Sequence, residues 1–353
     1  MKKFVFALIA ALAIAGCSAD KASRQWTGEE ATKWYDAQGW LSGCDYIPAS
    51  AINQIEMWSE ATWDPSRIDE ELGWAQELGF NTMRVFLSSV VYQNDPSGLK
   101  TRMDEFLGIC DRHGIRPLFV FFDDCWDPES SYGPQRTPKP GVHNSGWVQD
   151  PSAARRADTT VLYPQLEAYV KDIVRTFRGD RRVLLWDLYN EPGNSDYLDS
   201  SIPLVKNAFR WAREAGNTQP LTVGVWRKDF AALNALSLSV SDVVSFHSYT
   251  GKVDVMQQAI DTLKAYGRPV ISTEYMARTR GCTFQKMMPL LKKNNVGAIN
   301  WGFVAGKTNT IFAWRTPLPD VAEPEVWFHD ILRQDHTPFD PEEIEVIKAC
   351  NGK

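Results

Sequence analysis

One alternation runs through the chain from about residue 39 and limits its fold more than any other feature. A short apolar run, a polar break and an amphipathic stretch follow one another, eight times over. The apolar runs begin with GWLSGCDY (39–46), TMRVFL (82–87), RPLFVFF (116–122) and RVLLWDLYN (182–190). PLTVGVW (220–226), DVVSFHSY (242–249), PVISTEY (269–275) and VGAINWGF (296–303) complete the set. Apolar runs of this length read as strands buried on both faces. Between them the period changes. In SRIDEELGWAQELG (66–79), Ile68, Leu72, Ala75 and Leu78 recur at spacings of three and four, and Gly79 marks the stop. Helical patterns also cover 99–114, 163–177, 202–215, 229–237, 253–267 and 284–295, and a last helix is expected near 324–334. Strands alternating with helices imply a parallel sheet. Eight units in 353 residues fit a single α/β domain, a (β/α)8 barrel with long loops at the C-terminal face of its strands. An open doubly wound sheet usually has fewer strands, and no G-x-G-x-x-G follows the first run.

The segment before the barrel has a different character. MKKFVFALIAALAIAGC places two Lys before an apolar run from Phe4 to Ala15, too short to span a bilayer. Positive residues, a short apolar stretch and small residues at its end make an export signal. Ile14-Ala15-Gly16-Cys17 resembles the lipobox of bacterial lipoproteins, which implies a signal peptide over 1–16 and lipidation of Cys17. Residues 17–38 are then a tether and lead-in, and 39–353 the catalytic domain. The expected location is periplasmic or cell-surface, with the membrane touched only through the lipid. Five further cysteines, Cys44, Cys110, Cys125, Cys282 and Cys350, leave room for one or two bridges and show no zinc spacing. A net charge of −6 without a basic stripe gives no reason to expect nucleic acid, and a monomer is expected. The five His, at 113, 143, 247, 329 and 336, are scattered, so neither metal nor cofactor is expected.

In such barrels the active site lies at the carboxyl ends of the strands, so the residues ending each run can be read as one surface. They are Asp45, Arg84, Asp123 with Asp124, Asn190 with Glu191, Trp226, His247 with Tyr249, Glu274 and Trp301. Glu191 and Glu274, ending the fourth and seventh runs, face each other across the mouth. Two carboxyls flanking a glycosidic bond can hydrolyse it, one as nucleophile and one as proton donor, if about 5–5.5 Å apart; a wider gap admits water and inverts configuration. Arg84 can favour ionisation of Glu274, Tyr249 can orient it, Asn190 can donate to a sugar 2-hydroxyl, and Trp301 offers a face for a sugar ring. Each has a plainer alternative: Arg84 as a barrel ion pair, His247 as a structural group, and Asp45, Asp123 and Asp124 as turn residues. The loop Cys125–Thr159 carries five Pro with Trp126, Tyr132 and Trp147, and Asn53–Trp63 carries Trp58 and Trp63. Both are expected to wall a substrate pocket, which favours short or branched substrates.

Asn190-Glu191-Pro192, Glu274, Arg84, His247-x-Tyr249 and Trp301 together resemble clan A glycoside hydrolases, nearest to glycoside hydrolase family 5. DYIPASAINQIEMW (45–58), GVHNSGW (141–147) and INWGFVAGKT (299–308) resemble cellulase-like bacterial proteins often described as β-1,4-xylanase or cellulase. The resemblance implies a retaining O-glycosyl hydrolase acting on a β-linked carbohydrate, with Glu191 as acid/base and Glu274 as nucleophile. It makes Arg84, Asn190, His247, Tyr249, Trp301, Asp45, Asp124 and Trp126 the substrate or support residues. Two departures stand out. The family usually has a His near the end of the third strand, where this chain has Phe122-Asp123-Asp124, and commonly an Asn near Asp45. Gluco-, manno- and xylo-configured substrates stay equally open. The alternative from another class is a non-catalytic carbohydrate-binding lipoprotein on the same barrel.

Overall fold

Each apolar run contributes one strand: β1 (Ser42–Asp45), β2 (Thr82–Phe86), β3 (Leu118–Val120), β4 (Trp186–Asp187), β5 (Leu221–Thr222), β6 (Val244–His247), β7 (Val270–Glu274) and β8 (Gly297–Trp301). The computed structural model describes residues 24–353, so the signal peptide and Cys17 lie outside the described residues. All pairings are parallel, in the order β5-β4-β3-β2-β1-β8-β7-β6. The two ends of the sheet, β5 and β6, share no ladder; a bridge between Val225 and Phe246 and a Thr222–Ser245 hydroxyl contact at 2.7 Å join them, so the barrel closes at a seam. The expected (β/α)8 architecture is therefore present, with β4 and β5 reduced to two residues each.

Register brings the chemistry to one level. Asp45 on β1 pairs with Arg84 on β2 and Trp301 on β8, and His247 pairs with Glu274 across a bulge in β6. Gly43 permits the first of these contacts, since a Cβ there would lie 1.8 Å from the carbonyl oxygen of Thr82.

The helices begin on readable signals. Asp64, Asp95 and Asp340 each accept a backbone N–H, and each precedes a Pro at the first helical position, opening Pro65–Glu77, Pro96–Arg112 and Pro341–Asn351. Part of the expected lead-in is also built into the fold. Gly28–Asp36 is a helix with a Thr27/Glu30 capping box. Its Tyr35 packs with Leu41, Leu118, Leu184, Ile271 and Ile299, residues at the N-terminal ends of different strands, and so plugs the barrel floor.

Three expectations are corrected. Residues 324–334 are not a helix; Trp327 to Leu332 are buried at six successive positions, including His329 and Asp330. A helix would turn some of these outward, whereas an irregular, bent segment bonded to Ile311, Thr310 and Phe303 buries them all. The eighth helix is instead Pro341–Asn351. The Asn53–Trp63 insertion is no pocket wall: Trp58 is fully buried, donates to the carbonyl of Phe86 at 2.7 Å and stacks on Trp63. Among the described residues no disulfide forms: Cys44, Cys110, Cys125, Cys282 and Cys350 are all buried and free. Among the described residues no helix is long and apolar enough to cross a membrane.

Candidate active site

Arg84 is the centre around which the strand ends are organised. It is fully buried, and its guanidinium donates to Asp187 Oδ2 (2.9 Å), Asp45 Oδ1 (2.7 Å), Glu274 Oε1 (2.9 Å) and Asn190 Oδ1 (2.7 Å). One cation faces three carboxyls, too few charges to keep all of them ionised in a buried place. Burial pushes Asp45 well above the usual carboxylate range; Arg84 opposes this and Glu274 adds to it. Asp45 Oδ2 and Asp187 Oδ1 have no hydrogen-bond partner, which suits carboxyls that carry a proton.

Glu274, at the end of β7, accepts from Arg84 and from the Tyr249 hydroxyl at 2.7 Å. Glu191 follows β4 in left-handed backbone, φ +43°, the conformation that turns its side chain to the mouth. It accepts from Asn194 Nδ2 at 2.6 Å and lies 3.4 Å from the Cys125 sulfur. Burial raises both glutamates. At Glu274 the direct donors include a guanidinium, whereas the groups touching Glu191 are a thiol, an amide and an imidazole. The guanidinium favours an ionised Glu274, while the charge of Glu191 works against it.

Between the two lies His247, its Nδ1 2.9 Å from Glu191 Oε1 and 3.5 Å from Glu274 Oε2. Burial lowers it to about 4, so the ring is neutral at ordinary pH. Its Nε2 has no partner. Ligand atoms of Glu191, His247 and Glu274 all lie within 4.8 Å of one another, a spacing that could also hold a metal ion. The hydrogen bonds that already join these atoms describe a proton-carrying pair equally well.

The remaining expected residues fall into two groups. Trp301 and Trp126 line the cavity, Trp126 in left-handed backbone (φ +71°) and 37% exposed. Asn190 lines it too, but its carbonyl is taken by Arg84 and its amide donates to Asp123 Oδ1 at 2.9 Å, leaving one N–H toward the Cys125 sulfur. Asp45 and Asp124 do not line it. Asp124 is buried behind, bound by Arg156, Tyr189, Ser201 and the Gly193 amide, so it shapes the loop carrying Glu191. Asp123, pushed up by burial to about 7, accepts from Trp147 and Asn190.

Sequence reading missed Asp187, Asn194 and Trp314. Asp187 had a signal, as the one charge inside an apolar run, LLWDL. Asn194 and Trp314 sit in loops with no such mark. Trp314 meets Tyr249 edge to face, ring centroids 4.7 Å apart. The cavity over these residues has a volume of about 1370 Å³ and runs from Trp126 past the carboxylates to Trp226 and Leu238. It follows the seam between β5 and β6.

A family model described as Cellulase (glycosyl hydrolase family 5) matches residues 48–306. No curated protein matches the chain. Among solved structures, the chain is similar to GH5_18 from Streptomyces cattleya in complex with GlcNAc (12% identity, 88% of this chain and 79% of that one, TM-score 0.61). It is also similar to the exo-beta-1,4-mannosidase Op5Man5 from Opitutaceae bacterium strain TAV5 (16%, 89% and 60%, TM-score 0.62). A third is the endo-1,4-beta-mannanase from Rhizomucor miehei (14%, 89% and 94%, TM-score 0.58). At these identities the likeness is one of fold.

Proposed function

Because the chain belongs to glycosyl hydrolase family 5, we propose that it is a retaining β-glycosidase, with Glu274 as nucleophile and Glu191 as acid/base. One observation carries this reading: Glu191, after β4, and Glu274, ending β7, bring carboxylate oxygens within 4.8 Å of each other about one shared imidazole, the close approach that a retaining pair needs. An ionised Glu274 attacks the anomeric carbon as the glycosidic C–O bond breaks, and Glu191 passes its proton to the leaving oxygen. Glu191, now ionised, takes a proton from water, whose oxygen attacks the same carbon and frees Glu274. Negative charge thus moves from one carboxylate to the other. A neutral His247 with its proton on Nδ1, 2.9 and 3.5 Å from them, can donate to whichever is charged. Arg84 and Tyr249 hold Glu274 in line, and Trp301 and Trp126 offer faces for sugar rings.

The substrate is a β-linked oligo- or polysaccharide. The structural likeness to a mannosidase and a mannanase makes β-mannosides the first to try. Cys17 is read as a lipidated residue that tethers the enzyme to a membrane surface; loss of acyl labelling in Cys17→Ser tests it. The activity is tested with a 2-deoxy-2-fluoro β-glycosyl fluoride. Covalent label on the Glu274 peptide, with retained anomeric configuration by NMR, is the expected result. An inverted product overturns the mechanism. No label and no turnover, with sugar binding intact, favours the non-catalytic receptor.

A further inference from the structure

Most cations on the loops around the mouth are neutralised within the protein. Lys307 pairs with Glu56, Arg227 with Asp229, Arg156 with Asp124, Arg136 with Asp127, and Arg278 with Glu343. Arg280, on the loop after β7, and Arg315, on the loop after β8, differ. Both line the cavity, both are exposed, and neither has an acidic partner among the described residues; Lys228, after β5, shares these three features but lies on the far side of the seam from β7 and β8.

They share one neighbour, Trp314, Arg280 by contact and Arg315 by chain connection. The Arg280 guanidinium lies over Trp314, 5.5 Å from its centroid, and Arg315 follows Trp314 directly, in left-handed backbone (φ +56°). Trp314 in turn meets Tyr249, whose hydroxyl donates to Glu274. A guanidinium held over an aromatic ring by charge keeps its N–H groups available as donors. An Arg held in an uncommon backbone conformation at a cavity rim, in a chain of net charge −6, points to a requirement at this place.

We propose that Arg280 and Arg315 form an anion subsite for the carboxylate of a hexuronic acid in the substrate, with Trp314 as the platform under the sugar ring. The inference rests on the glycosidase reading and adds the substrate class. The pattern suits a uronate: an apolar face for the ring's C–H groups and a guanidinium fork that meets a carboxylate with two parallel N–H···O bonds. The carboxylate is bound beside the catalytic pair without touching it, so the charge selects substrate and takes no part in bond breaking.

The test uses matched pairs: β-linked oligosaccharides bearing glucuronate, mannuronate or galacturonate, each beside its carboxyl-reduced counterpart. At low ionic strength the wild type is expected to favour the acidic member of at least one pair by about 10-fold or more in kcat/KM. The ratio falls about tenfold in Arg280→Gln or Arg315→Gln, and the double variant brings it near one. Arg→Lys at either site keeps part of it, and salt erodes it. A ratio near one for all pairs, or one that survives the double variant, overturns the subsite while leaving the glycosidase standing. If nothing is cleaved and Glu274 takes no fluoro-sugar label, the glycosidase reading fails. Calorimetric binding of the same pairs then still decides the subsite, and equal affinity for both members overturns it.

Discussion

At the scale of the residue, the site is a problem of distributing few protons among many buried carboxyls. Asp45, Asp187 and Glu274 share one guanidinium. If Asp45 is the one held neutral, Asp45→Asn keeps its size and hydrogen bond and should retain kcat within about tenfold. Arg84→Lys has a point charge in place of the four-way fork and should lose at least about 100-fold. Steady-state kinetics on an aryl β-glycoside checks both. The pH profile follows from the same logic. Glu274 must be ionised, so activity falls as pH drops through its raised value; Glu191 must be protonated, so activity falls as pH rises through its own. The expected bell loses its alkaline limb in Glu191→Gln, measured with an activated leaving group. Retention of that limb would assign it to another group. Chelator should leave turnover unchanged; loss of activity restored by a divalent ion would reassign the Glu191–His247–Glu274 cluster.

Elements decide how firmly this arrangement is held. The helix Gly28–Asp36 gives the barrel floor its Tyr35, 2% exposed, against residues of several strands. Tyr35→Ala should cost about 3–5 kcal/mol, the range for emptying a large buried aromatic site, read from denaturant unfolding. A cost below about 1 kcal/mol would mean that the floor closes without this helix. At the other end, the long segment after β3 is tied back on itself: Asp123 pairs with Asp150, Asp127 with Val148, and the Trp147 indole donates to Asp123 at 2.7 Å. It is this folding-back that brings Trp126 to the rim.

For the whole molecule, buried titratable groups outside the catalytic pair set the dependence of stability on pH. Glu71, pushed up to about 7 by burial, and Asp330, pushed up to about 6, keep protons in the folded chain that the unfolded chain has released. Their contribution is complete below the ordinary carboxylate range and is lost as pH rises through those folded values. His143 and His247, lowered to about 4, work the other way: their contribution is present above the ordinary imidazole value and is lost as pH falls toward 4. Burial also raises Asp45, Asp150 and Asp187, so carboxyls outnumber the histidines. Thermal stability should therefore peak near pH 5 and decline toward pH 8. Glu71→Gln should flatten the decline, as calorimetry across that range can check.

The chain by itself determined the barrel and the carboxylate pair. Eight apolar runs separated by helical periods leave a parallel sheet few other ways to close, and the ends of those runs carry Glu191 and Glu274. This much depends on local pattern, which is written in consecutive residues. The tertiary structure decided what local pattern cannot reach. Residues 324–334 have a helix-like composition, but burial of all six residues from Trp327 to Leu332 holds them in an irregular path. Trp58 ends a short helix in the insertion after β1 yet fills the core, and Asp124, beyond β3, braces a loop from behind. Asn194 and Trp314 reach the site through turns whose geometry is fixed by contacts far away in sequence. Which carboxyl keeps its proton is likewise a sum over neighbours from four strands, and only the folded chain performs it.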